Sequence, residues 1–238
     1  MGNLTIHVLT LFPDFFKSPL SESILARAIK KGLISVQIHN LRTFGLGERK
    51  TVDDNPYGGS AGMVLRVDVL AKAAESVSSK ERGGKPYVVL LDPKGKRYDQ
   101  GRAEKLSKKK EVLLVCGHYE GVDQRFADYF CDEVVSVGDF VLTGGETAAL
   151  VLIDSIVRLQ PGVLGKKESL QSESFSLTKT EGKNSRIFDF PTYTRPESFQ
   201  GKKVPPILLS GNHAKIKQWR ANKARQLTLK FRKDLVQG

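Results

Sequence analysis

The chain has 238 residues, of which 39% are hydrophobic and 27% charged, with a formal net charge of +12. This balance excludes a disordered polyelectrolyte and leaves room for one large domain, or a medium domain and a small one. No apolar run approaches the roughly 18 residues that a membrane span requires, and Met1–Pro13 lacks a basic segment leading into a long apolar stretch, so a cytoplasmic protein without signal peptide or membrane contact is expected.

In chain order, Leu4–Phe12 is rich in Ile, Val, Leu and Thr and predicts a strand. Ser21–Lys31 carries Ile24, Leu25, Ala28 and Ile29 at helical spacing, and Leu33–Ile38 predicts a second strand. Arg42–Met63 breaks the pattern with Gly45, Gly47, Asn55-Pro56, Gly58-Gly59 and Gly62, which predicts a long loop of the kind that carries function. Val67–Val77 predicts a helix. Tyr87–Leu91, Val112–Cys116 and Glu133–Val137 are short apolar runs, each followed by Gly or Pro. Helical stretches fall between them, near Arg102–Ser107 and Val122–Phe130, and Glu146–Leu159 predicts a helix with Leu150, Ile153 and Val157 on one stripe. Short buried strands alternating with helices argue for an α/β fold with a parallel sheet covered on both faces.

After Pro161 the character changes. Ser169–Thr194 is too polar for a core, Lys179–Asn184 reads as an exposed loop, and a linker is expected from Lys166 to Arg195. Asn212–Lys230 reads as a basic helix or helix pair, with Ile216 and Trp219 inward and Lys215, Lys217, Arg220, Lys223 and Arg225 mostly outward. The charge follows this division. Residues 166–238 hold 16 Lys and Arg against 6 Asp and Glu, a net of +10, whereas residues 1–165 hold 22 against 20. A basic segment on a near-neutral body points to a polyanion, and nucleic acid fits better than a lipid surface because no strong amphipathic anchor is present.

Parallel sheets bind ligands beyond the carboxyl ends of their strands. Three such loops stand out here: Asp92–Gly95, Gly117–Gly121 and Gly138–Glu146. Each alone could be an ordinary turn; three after consecutive strands suggest a pocket that reads its ligand through backbone groups. No Gly-x-Gly-x-x-Gly follows the first strand and no P-loop occurs, which excludes the commonest dinucleotide and nucleotide sites. Cys116 and Cys131 show no metal spacing, and two thiols suggest a reducing compartment. Asp154 and Arg158, four apart on one helix, read most simply as an intrahelical ion pair.

An ordered series of segments resembles the bacterial tRNA (guanine-N1)-methyltransferases that act at position 37 beside the anticodon, the TrmD family. The series is Thr51–Gly59 (TVDDNPYGG), Cys116–Asp123 (CGHYEGVD), Ser136–Glu146 (SVGDFVLTGGE), Leu152–Ser155, Pro161–Gly165, Tyr193–Pro196 and Pro205–His213 (PPILLSGNH). It runs through nearly the whole chain. The resemblance implies a trefoil-knotted, SPOUT-type α/β methyltransferase domain over residues 1–165 and a linker or lid over 166–195. A small basic helical tRNA-binding domain would follow over 196–238. It also implies a homodimer whose active sites draw on both subunits.

By the same resemblance, S-adenosylmethionine would lie against Leu91, Asp92, Pro93, Gly117, Tyr119, Glu120, Val137, Gly138, Asp139, Phe140, Val141, Leu142, Gly144 and Gly145. Asp54, Arg158, His213, Lys215 and Arg220 would contact tRNA, and Arg158 would act on the guanine. The family usually has an aspartate before a Ser-Phe pair in the linker; this chain has Glu173-Ser174-Phe175, so Glu173 becomes the catalytic carboxylate on a longer stem. Magnesium, used in the family, would make Glu120 and Glu173 its ligands. Two other readings fit parts of the pattern: an inactive RNA-binding module, which needs no donor pocket, and a knotted methyltransferase for ribosomal RNA.

Overall fold

The computed structural model describes residues 3–77, 84–165, 173–180 and 183–237. The chain divides into two compact units, residues 1–165 and 166–238.

The first unit is built on five parallel strands: β1 (Leu4–Thr10), β2 (Ile34–Asn40), β3 (Tyr87–Arg97), β4 (Glu111–Cys116) and β5 (Glu133–Ser136). Their order is β2-β1-β4-β3-β5, with β1 in parallel register against both β2 and β4. The strands read as continuous apolar runs because both faces are buried. On β1, Leu4, Ile6 and Val8 enter one core cluster while Leu9 enters the other; on β4, Val112, Leu114 and Cys116 separate in the same way from Leu113 and Val115. The first face is covered by α1 (Ser23–Lys30), α3 (Gln100–Leu106) and α5 (Glu146–Val157), the second by α2 (Val67–Val77) and α4 (Gln124–Phe130). Helix starts are set by local side chains: Asp99 accepts from the Arg102 N–H before α3, and Asp123 from the Arg125 N–H before α4.

Two expectations are corrected. Asp92–Gly95 is not a loop beyond a strand end but a bulge inside β3: Leu91 and Lys96 both lie opposite Val135, so four residues are pushed out of the ladder. The long loop from Arg42 to Met63 contains structure of its own. It holds a 3-10 turn over Leu41–Phe44 and a short antiparallel ribbon of Asp53–Asp54 with Val64–Leu65, pinned by the buried Leu41, Val52 and Leu65. The apolar stripe of α5 is present as expected: Ile153 and Val157 are buried with Ala148, Ala149, Leu152 and Ile156, and Leu150 is half-buried.

In the second unit a 19-residue helix, α6 (His213–Phe231), is capped by the Asn212 side chain accepting from the Lys215 N–H. Ile216, Trp219 and Leu227 are half-buried and Ala224 and Thr228 buried, while Lys215, Lys217, Arg220 and Arg225 are exposed; Lys223 is half-buried instead of outward. The segment expected as linker carries an antiparallel hairpin of Leu177–Thr180 with Lys183–Arg186. The start of that segment, residues 166–172, and two residues of the expected Lys179–Asn184 loop lie outside the described residues. Among the described residues no helix is long and apolar enough to cross a membrane.

Candidate active site

A cavity of about 290 Å³ opens at the β3 bulge and the carboxyl ends of β4 and β5. Of the fourteen residues expected around a methyl donor, twelve line it: Leu91, Asp92, Pro93, Gly117, Tyr119, Glu120, Val137, Phe140, Val141, Leu142, Gly144 and Gly145. Gly138 and Asp139 do not. Gly138 instead closes a tight turn: its carbonyl accepts from the Ser136 hydroxyl at 2.9 Å and the Phe140 N–H at 3.0 Å. Lys94, His118, Gly121, Val135, Ser136, Thr143 and Ala148 complete the wall. His118 and Thr143 lie within two of the loops that the sequence marked as pocket-forming, although neither was singled out as a donor contact.

The walls depend on close backbone approach. The Gly145 N–H donates to the Gly117 carbonyl at 2.9 Å. A Cβ on Gly145 would stand 2.6 Å from Cys116 Cα and 2.9 Å from Gly117 N, so only glycine fits. A Cβ on Gly95 would meet the Val135 nitrogen at 2.5 Å. Tyr119 holds φ at 60°, a left-handed conformation that a bulky side chain adopts only under constraint. Phe140, Val141 and Leu142 are exposed on the rim.

Behind the wall runs a polar chain that sequence reasoning did not find. The Thr10 hydroxyl donates to Glu146 Oε1 at 2.7 Å, and His118 Nε2 lies 3.2 Å from Glu146 Oε2. A first-turn glutamate is ordinarily solvated, and no local signal distinguishes a buried one. The Cys116 thiol is held well above its ordinary range, first by burial and then by the Glu146 carboxylate, so it stays protonated and is no nucleophile.

The remaining expected residues fall elsewhere. Asp54 sits exposed on the short ribbon, accepting from Arg66 Nη1 at 2.6 Å and from the Asn55 N–H at 2.8 Å. Arg158 is half-buried at the C-terminal cap of α5 and does not line the cavity. Glu173 is half-buried in the second unit, where its carbonyl accepts from Ser176. His213, Lys215 and Arg220 are exposed on the first turns of α6. For magnesium the fit is poor: among the described residues no group of three or more His, Cys, Asp or Glu side chains is gathered to hold an ion. The Glu120 side chain sits close against Gly62.

The family model described as tRNA (Guanine-1)-methyltransferase TrmD matches residues 4–238. A tRNA (guanine-N(1)-)-methyltransferase of Citrifermentans bemidjiense is 48% identical over 97% of this chain and 89% of its own. One from Clostridioides difficile is 44% identical over 98% and 97%. One from Anoxybacillus flavithermus is 46% identical over 98% and 92%. With a family model spanning almost its full length and relatives of this identity, the chain belongs to the TrmD family of tRNA (guanine-1)-methyltransferases.

Proposed function

We propose that this chain methylates N1 of the guanine at position 37 of tRNA, with S-adenosylmethionine held in the cavity at the β3 bulge and the ends of β4 and β5. Family membership carries the reaction class, N1 methylation of guanine in tRNA by an S-adenosylmethionine-dependent enzyme. The observation that supports the donor's placement is the cavity itself. It is of small-ligand size, and Gly117, Gly144 and Gly145 let its wall segments pack closely against one another. Leu91, Val137 and Leu142 offer apolar surface, while backbone N–H and C=O groups supply polarity.

The bound donor supplies an electrophilic methyl on a sulfonium sulfur; the protein must make N1 nucleophilic. Neutral guanine carries a proton on N1. Glu173 takes that proton as general base. Negative charge then builds toward O6, where Arg158 stabilises it in a site shielded from water. The cavity walls hold the two reactants in line, converting a bimolecular encounter into an internal one.

The remaining features of the reading follow the family. The pass of residues 138–145 against the turn after β4 forms the trefoil knot, and the close Gly145–Cys116 backbone contact is consistent with such threading. Residues 166–195 act as linker and lid, and 196–238 as the basic helical domain on which tRNA docks. Two subunits complete each site, in the cytoplasm where tRNA is found. Sedimentation is expected to show about twice the chain mass of 26.3 kDa; a fully active monomer overturns the shared site. The central test uses labelled donor with tRNA transcripts. Label is expected to enter transcripts with guanine at position 37 and not those with adenine there; equal labelling of both, or labelling of ribosomal RNA alone, overturns the assignment.

A further inference from the structure

Among the described residues Glu146 is the only buried carboxylate, at 4% exposure. It opens α5, whose other buried positions are all apolar. A buried ionised carboxylate is costly unless donors meet it, and an apolar side chain of similar size is often the more stable choice. Here the Thr10 hydroxyl donates to it at 2.7 Å, and His118 Nε2 lies 3.2 Å from its other carboxylate oxygen. The amino-terminal end of α5 adds a favourable field. Thr10 in turn accepts from the Phe12 N–H at 2.9 Å, and the Phe12 ring lies 5.0 Å from the His118 ring. On His118's other neighbour, the Tyr119 ring stands edge-on at 5.7 Å. A circuit therefore runs from the end of β1, through the first residue of α5, to the turn after β4.

A carboxylate only accepts, so at 3.2 Å it favours the ring form that carries a proton on Nε2. His118 and Tyr119 both line the cavity, and Tyr119 is the residue held at φ 60°. We infer that Glu146 is a positioning residue for methyl transfer: through His118 it holds the Gly117–Gly121 turn in the shape that grips the methyl donor. This rests on the donor placement proposed above.

The test measures S-adenosylmethionine affinity by calorimetry for the wild type, Glu146→Gln, His118→Ala and the double variant. Gln keeps the size and still bonds to Thr10. Its donor Kd is expected to rise about tenfold with the loss of the charged contact to His118, while the single-turnover rate at saturating donor changes less than about twofold. If Glu146 acts through His118, adding Glu146→Gln to His118→Ala changes Kd by less than about twofold. Nitrogen-15 NMR of the imidazole is expected to show the Nε2–H form in the wild type and a mixture in Glu146→Gln, a readout that a purely structural role does not move. An unchanged Kd in Glu146→Gln, or a full further loss in the His118→Ala background, overturns the inference. Should Glu146→Gln unfold, Thr10→Val serves in its place, with a donor Kd raised about threefold as the expected result and an unchanged one overturning. Donor-induced shifts of the wild-type Gly117 and Gly144 amide signals report separately on placement: their absence sinks the donor-site reading itself.

Discussion

The two units of this chain solve binding in opposite ways. Residues 1–165 are nearly neutral and hold almost every buried residue among those described; residues 166–238 carry a net +10 and bury only Ala224 and Thr228. Gripping a small ligand requires an enclosed wall, and a wall is rigid only when a dense core stands behind it. The sheet with its two apolar faces supplies that core. Contact with a polyanion requires exposed positive charge at roughly correct spacing, which a lightly packed helix provides. In the proposed reaction the donor belongs to the first unit and the tRNA backbone largely to the second.

Glu173 tests this division most severely, because the proposed reaction places its general base in the basic unit. Glu173→Gln keeps the size and removes the base, and loss of a general base typically lowers rates about 10²- to 10⁴-fold. The single-turnover methylation rate is expected to fall by that order with donor affinity intact. Glu173→Asp, with the family's usual residue, is expected to retain measurable activity. A Gln variant at the wild-type rate removes Glu173 from the mechanism and moves the search to Glu120 and Asp154.

A smaller effect sharpens the comparison from the other side. Lys215, Lys217 and Arg220 are exposed on the first turns of α6. Charge reversal at all three is expected to weaken tRNA binding roughly ten- to hundredfold and to reduce the salt slope by about three, one for each lost phosphate contact. Filter binding across salt concentrations reads both, and donor affinity is expected to stay unchanged. Unchanged tRNA affinity would make this face ordinary solvated surface.

What the sequence disclosed follows the range of the forces involved. Helix α2 is legible because its signal is local: Val69, Leu70, Ala73, Ala74 and Val77 form one buried face. The strands are legible as apolar runs for the same reason. The β3 bulge was hidden because it depends on how Asp92–Gly95 meets β5, a strand about forty residues away. The buried role of Glu146 was hidden because Thr10 and His118 become its partners only on folding. The hairpin at 177–186 was read as linker, since few apolar residues mark it. Most of the cavity was legible in the three glycine-bearing loops; the family resemblance added Leu91 and Val137 and named the donor, and both readings included Gly138 and Asp139, which do not line the wall.

The smallest predicted effect concerns how the second unit holds itself together with so little core. Thr228 is fully buried on α6, and its hydroxyl serves two partners. It donates to the Ala224 carbonyl at 2.9 Å and accepts from the Phe188 N–H at 2.9 Å. The second bond crosses forty residues and ties the segment after the hairpin to the long helix, where Phe188 also stands 5.5 Å edge-on to Phe175. Thr228→Val keeps the shape but leaves the Phe188 N–H without its acceptor, a loss of about 1–3 kcal/mol for a buried donor. Thr228→Ser retains the hydroxyl and is expected to lose less. Because Glu173 lies on the same stretch of chain, loosening it is expected to raise hydrogen exchange around Phe175 and Phe188 and to lower the methylation rate several-fold. Donor affinity, a property of the first unit, is expected to remain at the wild-type value. Parallel losses in donor affinity and exchange protection would mean that the two units share their stability and that the division drawn above is wrong.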